Sequence, residues 1–193
     1  LPWRELPAFM AQLRARDAVS ACCLEFLILT ALRSGEVRGA RWCEIDLDAA
    51  VWLVPDARMK RGVPHRVPLS VEALAVLQKV RGLDPVLVFP SPKRGKDNIA
   101  QPLSVMAFKP LLGRMGVDGF TVHGFRSTFR DWCSESAHAD REVGGAALSH
   151  AMGNEVERAY ARSDLFERRR VLMEAWALYA TGGTGEVVAL VRA

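Results

Sequence analysis

The 193 residues contain only two tyrosines, four cysteines and four histidines, and these scarcities remove several kinds of chemistry at the outset. Cys22, Cys23, Cys43 and Cys133 form no C-x-x-C pair and show no even spacing around histidines, so a zinc site has little support. They are expected to be buried free thiols, which fits a reducing, intracellular compartment, and a cytoplasmic location is expected. The most apolar stretch, Ala18 to Leu32, is interrupted by Glu25 and falls short of the roughly 20 residues that a membrane span needs, so it is expected to be a core helix. No cluster of acidic residues suggests a two-metal centre, and no cofactor is expected. Internal repeats and low-complexity segments are also missing.

A length of 193 residues suits one domain with one core, and 50% hydrophobic with 25% charged residues is the profile of a folded globular chain. Leu1 is not an initiator methionine, and no basic segment precedes an apolar run, so a fragment is expected rather than a secreted precursor. The net charge of +4 permits a polyanionic partner without demanding one. Lys60, Lys79, Lys93, Lys96 and Lys109 are the only lysines, so arginine carries most of the positive charge. Its planar fork suits bidentate binding to phosphate, although a GC-rich genome gives the same bias.

Periodicity predicts a mostly α chain with one small antiparallel sheet near its first third, an α+β class. Helices are expected over Glu5 to Arg16, from an Asp17 cap through Leu32, and from a Ser70 cap through Val80. Further helices are expected over Leu103 to Met115, over Val122 to Glu135 behind Thr121, and over Arg141 to His150 behind Asp140. A last one runs from a Ser163 cap to Tyr179. Val51 to Val54, Met59-Lys60 and His65 to Leu69 read as strands, with a turn at Arg61-Gly62. Pro90 to Asn98 reads as a solvated loop. Gly182, Gly183 and Gly185 separate residues 1–180 from a short apolar tail, Val187 to Val191.

Several side chains have the character of an anion site. His123-Gly-Phe-Arg126 sets an imidazole and a guanidinium three residues apart near a helix N-terminus, where free N–H groups attract anions. A plain cap and a solvated surface cation would look the same. Arg33 ends a strongly apolar helix, with Glu36 placed to orient it, or it simply complements the C-terminal dipole of that helix. Lys60 sits beside the expected hairpin turn, where idle lysines are common. His150 follows Leu148-Ser149. Tyr160 lies among Asn154, Glu157 and Arg162, whereas Tyr179 continues an apolar stripe with Trp176, so Tyr160 is the better reactive hydroxyl and Tyr179 the better packing residue.

The order Arg33, Lys60, His123 with Arg126, His150 and Tyr160 closely resembles the signature of the tyrosine recombinase or phage integrase family. Arg58-Met-Lys60 followed by Pro64-His-Arg-Val-Pro-Leu-Ser70, and Arg168-Arg-Arg170 with Met173-Glu-Ala-Trp176, look like the prophage integrases of bacteria. This resemblance covers about Leu6 to Tyr179 and implies the catalytic-domain fold of that family. It implies site-specific cleavage and rejoining of double-stranded DNA through a 3′-phosphotyrosyl link on Tyr160, in an assembly of several protomers and without a cofactor. Arg33 and Arg126 would bind the phosphate, Lys60 would protonate the leaving 5′-oxygen, and His123 and His150 would share the remaining proton and phosphate contacts, with Glu36 in support. The core-binding and arm-binding domains of such integrases have no counterpart before Leu6. Two alternatives stay open: nicking and closing like a type IB topoisomerase, and a DNA-binding relative that has lost catalysis.

Overall fold

The computed structural model describes residues 1–60, 62–117, 119–150 and 164–183. Among these, the segment Val19–Thr30 (α2) is apolar around its whole circumference and therefore has to lie inside. It is packed on several sides by Leu6–Arg14 (α1), Val71–Val80 (α4), Phe108–Arg114 (α5) and Phe166–Ala180 (α8). Its one acidic residue, Glu25, is buried and neutralised by Arg14 Nε at 2.5 Å, with Lys79 at 3.8 Å. The remaining helices are Ser34–Arg38 (α3), Gly124–Glu135 (α6) and Arg141–Ala147 (α7).

The small sheet has order β1-β2-β3 and is antiparallel throughout: Ile45–Asp46 (β1), Val51–Val54 (β2) and His65–Pro68 (β3). Trp52 pairs with Val67 and Val54 with His65, which turns Trp52, Val54 and Val67 into the core while Leu53 and Arg66 face out.

Mostly helical architecture with one three-stranded sheet agrees with expectation, and so do two caps. Ser70 accepts from the Ala73 N–H at 3.2 Å, and Asp140 accepts from the Glu142 N–H at 2.8 Å. Other boundaries differ. Asp17 does not cap α2; the N-cap is Ala18, in extended geometry and without a side-chain bond. The Leu103–Met115 helix starts late, as a 3-10 turn at Val105–Ala107 behind Ser104, then α5. The expected strand at Met59-Lys60 is replaced by a 3-10 turn at Asp56–Arg58 and a bend, while β1, too short and polar to show periodicity, was not foreseen. The proposed Ser163 cap lies outside the described residues; the N-cap position of α8 is Leu165.

Aromatic rings join α6 to α8. Trp176 is fully buried, lies 5.1 Å from Trp132 and 5.2 Å from Phe129 between centroids, and donates from Nε1 to the Ile28 carbonyl at 2.8 Å. Tyr179 stacks on Trp132 at 5.7 Å and its hydroxyl donates to the Trp3 carbonyl at 2.9 Å. It is a packing residue, as its stripe indicated. Trp176→Ala is expected to cost about 3–5 kcal/mol, the range for emptying a buried aromatic site. Urea denaturation of the variant against the parent measures it, and a loss under 1 kcal/mol would show that α8 is not anchored through this ring.

Candidate active site

The site is built where four helix ends meet. Helix α2 stops because Ala31 turns into the left-handed region (φ 53°), and the chain re-enters a helix at once with Arg33 as N-cap of α3. Arg33 therefore stands at a helix start, not at the helix end expected from the sequence. Glu36, almost fully buried, accepts from the Arg33 N–H at 2.8 Å and from Arg33 Nη1 at 3.0 Å, so one carboxylate both caps α3 and aims the guanidinium.

Arg126, on the first turn of α6, is buried at 5% exposure and is no surface cation. Its Nη1 donates to the Ala31 carbonyl at 2.5 Å and its Nη2 to the Leu148 carbonyl at 2.6 Å. Both acceptors sit at helix C-terminal ends, where carbonyls lack partners along their own helix and carry partial negative charge. Burial, with the Arg33 charge nearby, brings its pKa down to about 10, so it remains a cation at neutral pH.

Helix α7 ends through Ser149 (φ 53°), with the Ser149 N–H on the Ala146 carbonyl at 3.0 Å and the His150 N–H on the Gly145 carbonyl at 2.9 Å, the pattern of a Schellman motif. This closure ends the expected Arg141 to His150 helix at Ala147 and delivers the His150 ring to Arg126, Nε2 to Nη2 at 3.5 Å. Arginine can only donate, so Nε2 is the acceptor and the ring proton lies on Nδ1. Burial and the charges of Arg126, Arg33 and Arg130 lower the His150 pKa, which favours the neutral ring.

Arg33, Arg126 and His150 are thus brought together. Lys60 is exposed in the bend between β2 and β3, and His123 is exposed at the N-cap position of α6; among the described residues no side-chain hydrogen bond joins either to the arginine pair. Thr121, the expected cap, accepts from the Gly124 N–H at 3.3 Å. Tyr160 lies outside the described residues. No group of three or more His, Cys, Asp or Glu among the described residues could hold a metal ion.

Two residues beside the site had no sequence signal beyond their place in a motif. Arg169, 1% exposed, joins α8 to β3 and to the Asp164 backbone: Nη1 donates to the Arg66 carbonyl at 2.6 Å and Nε to the Asp164 carbonyl at 2.8 Å. His65, on β3, lines a cleft of about 160 Å³ with Val63, Ser149, His150, Asp164 and Arg169. A larger groove of about 570 Å³ is built around Arg14, Glu25 and Lys79 and contains none of the anticipated site residues. Arg14 and Lys79 are paired there with Glu25, whereas the smaller cleft is lined by His150, one of the anticipated site residues.

Burial foremost, then the Arg169 charge, pushes the His65 pKa down to about 4, against a hydrogen bond to the Ala147 backbone and the Asp164 charge, which raise it. The folded protein keeps this ring neutral while the unfolded chain protonates it near pH 6.5. Its contribution to stability is complete above about pH 6.5 and lost as pH falls toward 4, on the order of 2–3 kcal/mol. In denaturant titrations at pH 7 and pH 4.5, His65→Asn is expected to lose less stability on acidification than the parent. Equal losses would mean that His65 titrates normally.

A family model described as the phage integrase family matches residues 1–165, a range that includes all six anticipated catalytic positions. Prophage integrase IntA of Escherichia coli K12 is 40% identical over 188 residues, covering 95% of this chain and 45% of that protein. The integrase of enterobacteria phage P4 is 30% identical over 210 residues, covering 98% and 47%. Prophage integrase IntZ of Escherichia coli K12 is 34% identical over 179 residues, covering 92% and 44%. The chain spans a little under half the length of these relatives. No solved structure matches it significantly. With that family model matching most of its length, the chain belongs to the phage integrase family.

Proposed function

We propose that this chain is the strand-cleaving and rejoining domain of a tyrosine-type site-specific DNA recombinase, acting in the integration or excision of a mobile element. The observation that carries the reading is a buried Arg126, held by the Ala31 and Leu148 carbonyls and set against the His150 ring, with the Arg33 charge nearby. Two fixed guanidiniums and a hydrogen-bonding ring suit a phosphodiester whose non-bridging oxygens gain charge in a pentavalent transition state.

In this mechanism the Tyr160 oxygen attacks the scissile phosphorus and passes its proton toward His123. The bond from phosphorus to the 5′-oxygen breaks, and that oxygen takes a proton from the Lys60 ammonium. The products are a 3′-phosphotyrosyl link and a free 5′-hydroxyl. Attack by another strand's 5′-hydroxyl reverses the step, returning a proton to Lys60 and releasing Tyr160, so the phosphodiester energy is kept without ATP. Residues 1–180 would form the catalytic unit and 181–193 its tail. Double-stranded DNA and further copies of the recombinase would be the partners, in the bacterial cytoplasm where the DNA lies. No helix among the described residues is long and apolar enough to cross a membrane.

On a nicked suicide duplex carrying the recombination site, Tyr160→Phe is expected to abolish the covalent protein–DNA adduct with DNA affinity unchanged, and Tyr179→Phe is expected to retain it. An adduct that persists in Tyr160→Phe and vanishes in Tyr179→Phe would overturn the assignment. Arg33→Ala should bind the same duplex with affinity close to the parent's but cleave it about 10²–10³-fold more slowly, the size of loss seen when one preorganised donor to a developing charge is removed.

A further inference from the structure

The limb that carries Lys60 leaves β2 at Val54, makes the 3-10 turn Asp56–Arg58, buries Met59 and exposes Lys60 before β3 begins at His65. Main-chain bonds shape it locally: the Met59 N–H donates to the Asp56 carbonyl at 2.9 Å and the Gly62 N–H to the Met59 carbonyl at 3.0 Å. Such turns set the shape of the limb but not its position against the rest of the site.

Arg58 supplies a position. Its Nη1 donates to the Glu36 backbone carbonyl at 2.8 Å, its Nη2 is paired with the Glu44 carboxylate, and its guanidinium carbon lies 6.0 Å from the Trp52 ring centroid. Glu44 is itself held, accepting from Trp52 Nε1 and from the Arg41 N–H, each at 3.1 Å. Gly39 leaves the space: a Cβ there would stand 3.0 Å from Arg58 Nη1. Glu36 therefore faces two ways. Its carboxylate aims Arg33, and its carbonyl receives the side chain two residues before Lys60.

We propose that Arg58 is a positioning residue that sets the Lys60 limb in register with the Arg33–Glu36 corner, so that the Lys60 ammonium meets the 5′-oxygen of the phosphate that Arg33 and Arg126 would hold. The proposal rests on the reading of Lys60 as proton donor. Arg58 touches neither substrate nor reacting atom. A planar fork is required because it spans a carbonyl on one side and a carboxylate on the other, which a lysine ammonium on a flexible stem does not hold at fixed geometry.

A test that a merely structural role would not pass uses two versions of one suicide duplex, ordinary and with sulfur at the bridging 5′ position, since a thiolate leaves without a proton. The parent, Lys60→Ala and Arg58→Gln are compared for single-turnover cleavage, DNA affinity and thermal unfolding. Arg58→Gln is expected to cleave the ordinary duplex about 10²-fold more slowly, as misplacement of a catalytic group by about 1 Å does, and to come within a few-fold of the parent on the sulfur duplex. Its DNA affinity should not change. Should Arg58→Gln not unfold cooperatively, Arg58→Lys and Gly39→Ala, which disturb the same contact from either side, are read the same way.

Parent-like cleavage of the ordinary duplex by Arg58→Gln would overturn the proposal. So would a loss that persists on the sulfur duplex while Lys60→Ala recovers there, since Arg58 would then act through the arginines or the fold. If Lys60→Ala itself does not recover, the proton-donor reading fails and this inference falls with it.

Discussion

Arg126 carries a full positive charge into a place that water barely reaches, and much of the surrounding arrangement follows from how that charge is tolerated. Burial of an unpaired cation is severely unfavourable, yet its hydrogen-bonding partners among the described residues are two main-chain carbonyls and the His150 ring, and Arg33 adds a second positive charge nearby. The carbonyls come from the ends of α2 and α7, where helix geometry leaves them unpartnered and electronegative. The guanidinium thus satisfies two helix ends at once, and those ends have to terminate where they do for the charge to survive. The left-handed turns at Ala31 and Ser149 are the backbone form of that requirement.

The same constraint bears on the ligand. Two guanidiniums close enough to lower the Arg126 pKa are held together against their repulsion by the fold, with Glu36 spent largely on Arg33. An anion placed between them relieves that repulsion, and a more highly charged one relieves it more. In the proposed reaction this is the difference between the ground-state phosphodiester and its transition state, so the repulsion between the two guanidiniums becomes a preference for the state that needs stabilising. His150, set against Arg126 and with its pKa lowered by burial and the arginine charges, keeps from adding a third positive charge.

What was legible beforehand follows the range of the forces involved. Ser70 and Asp140 act within three residues and were visible as caps, and the all-round apolarity of Val19–Thr30 marked it as interior. The order of Arg33, Lys60, His123, Arg126 and His150 was also visible, but not their roles in packing. Arg33 reads as the end of a helix because nothing at Ala31 announces a left-handed turn; it is an N-cap. Arg126 reads as a surface cation because its acceptors lie 95 and 22 residues away. β1 escaped notice because two residues have no period, and His65 and Arg58 because a carbonyl or carboxylate met only after folding leaves no local mark.

The proposed chemistry asks opposite things of its cations, and the fold separates them accordingly. Charge that develops on non-bridging oxygens is best met by donors already in place, because moving them during reaction would consume the stabilisation they offer; Arg33 and Arg126 are accordingly locked at helix ends. A proton donor to a leaving oxygen is useful only while that bond breaks, and an ammonium clamped among arginines would be driven to lose its proton early. Lys60 is kept outside that cluster, exposed on a limb between two strands. Separation of this kind would be useless without a common reference, since a donor outside the cluster has to meet one oxygen among several. Under the positioning proposed for Arg58, Glu36 is that reference, with its carboxylate on Arg33 and its carbonyl on Arg58.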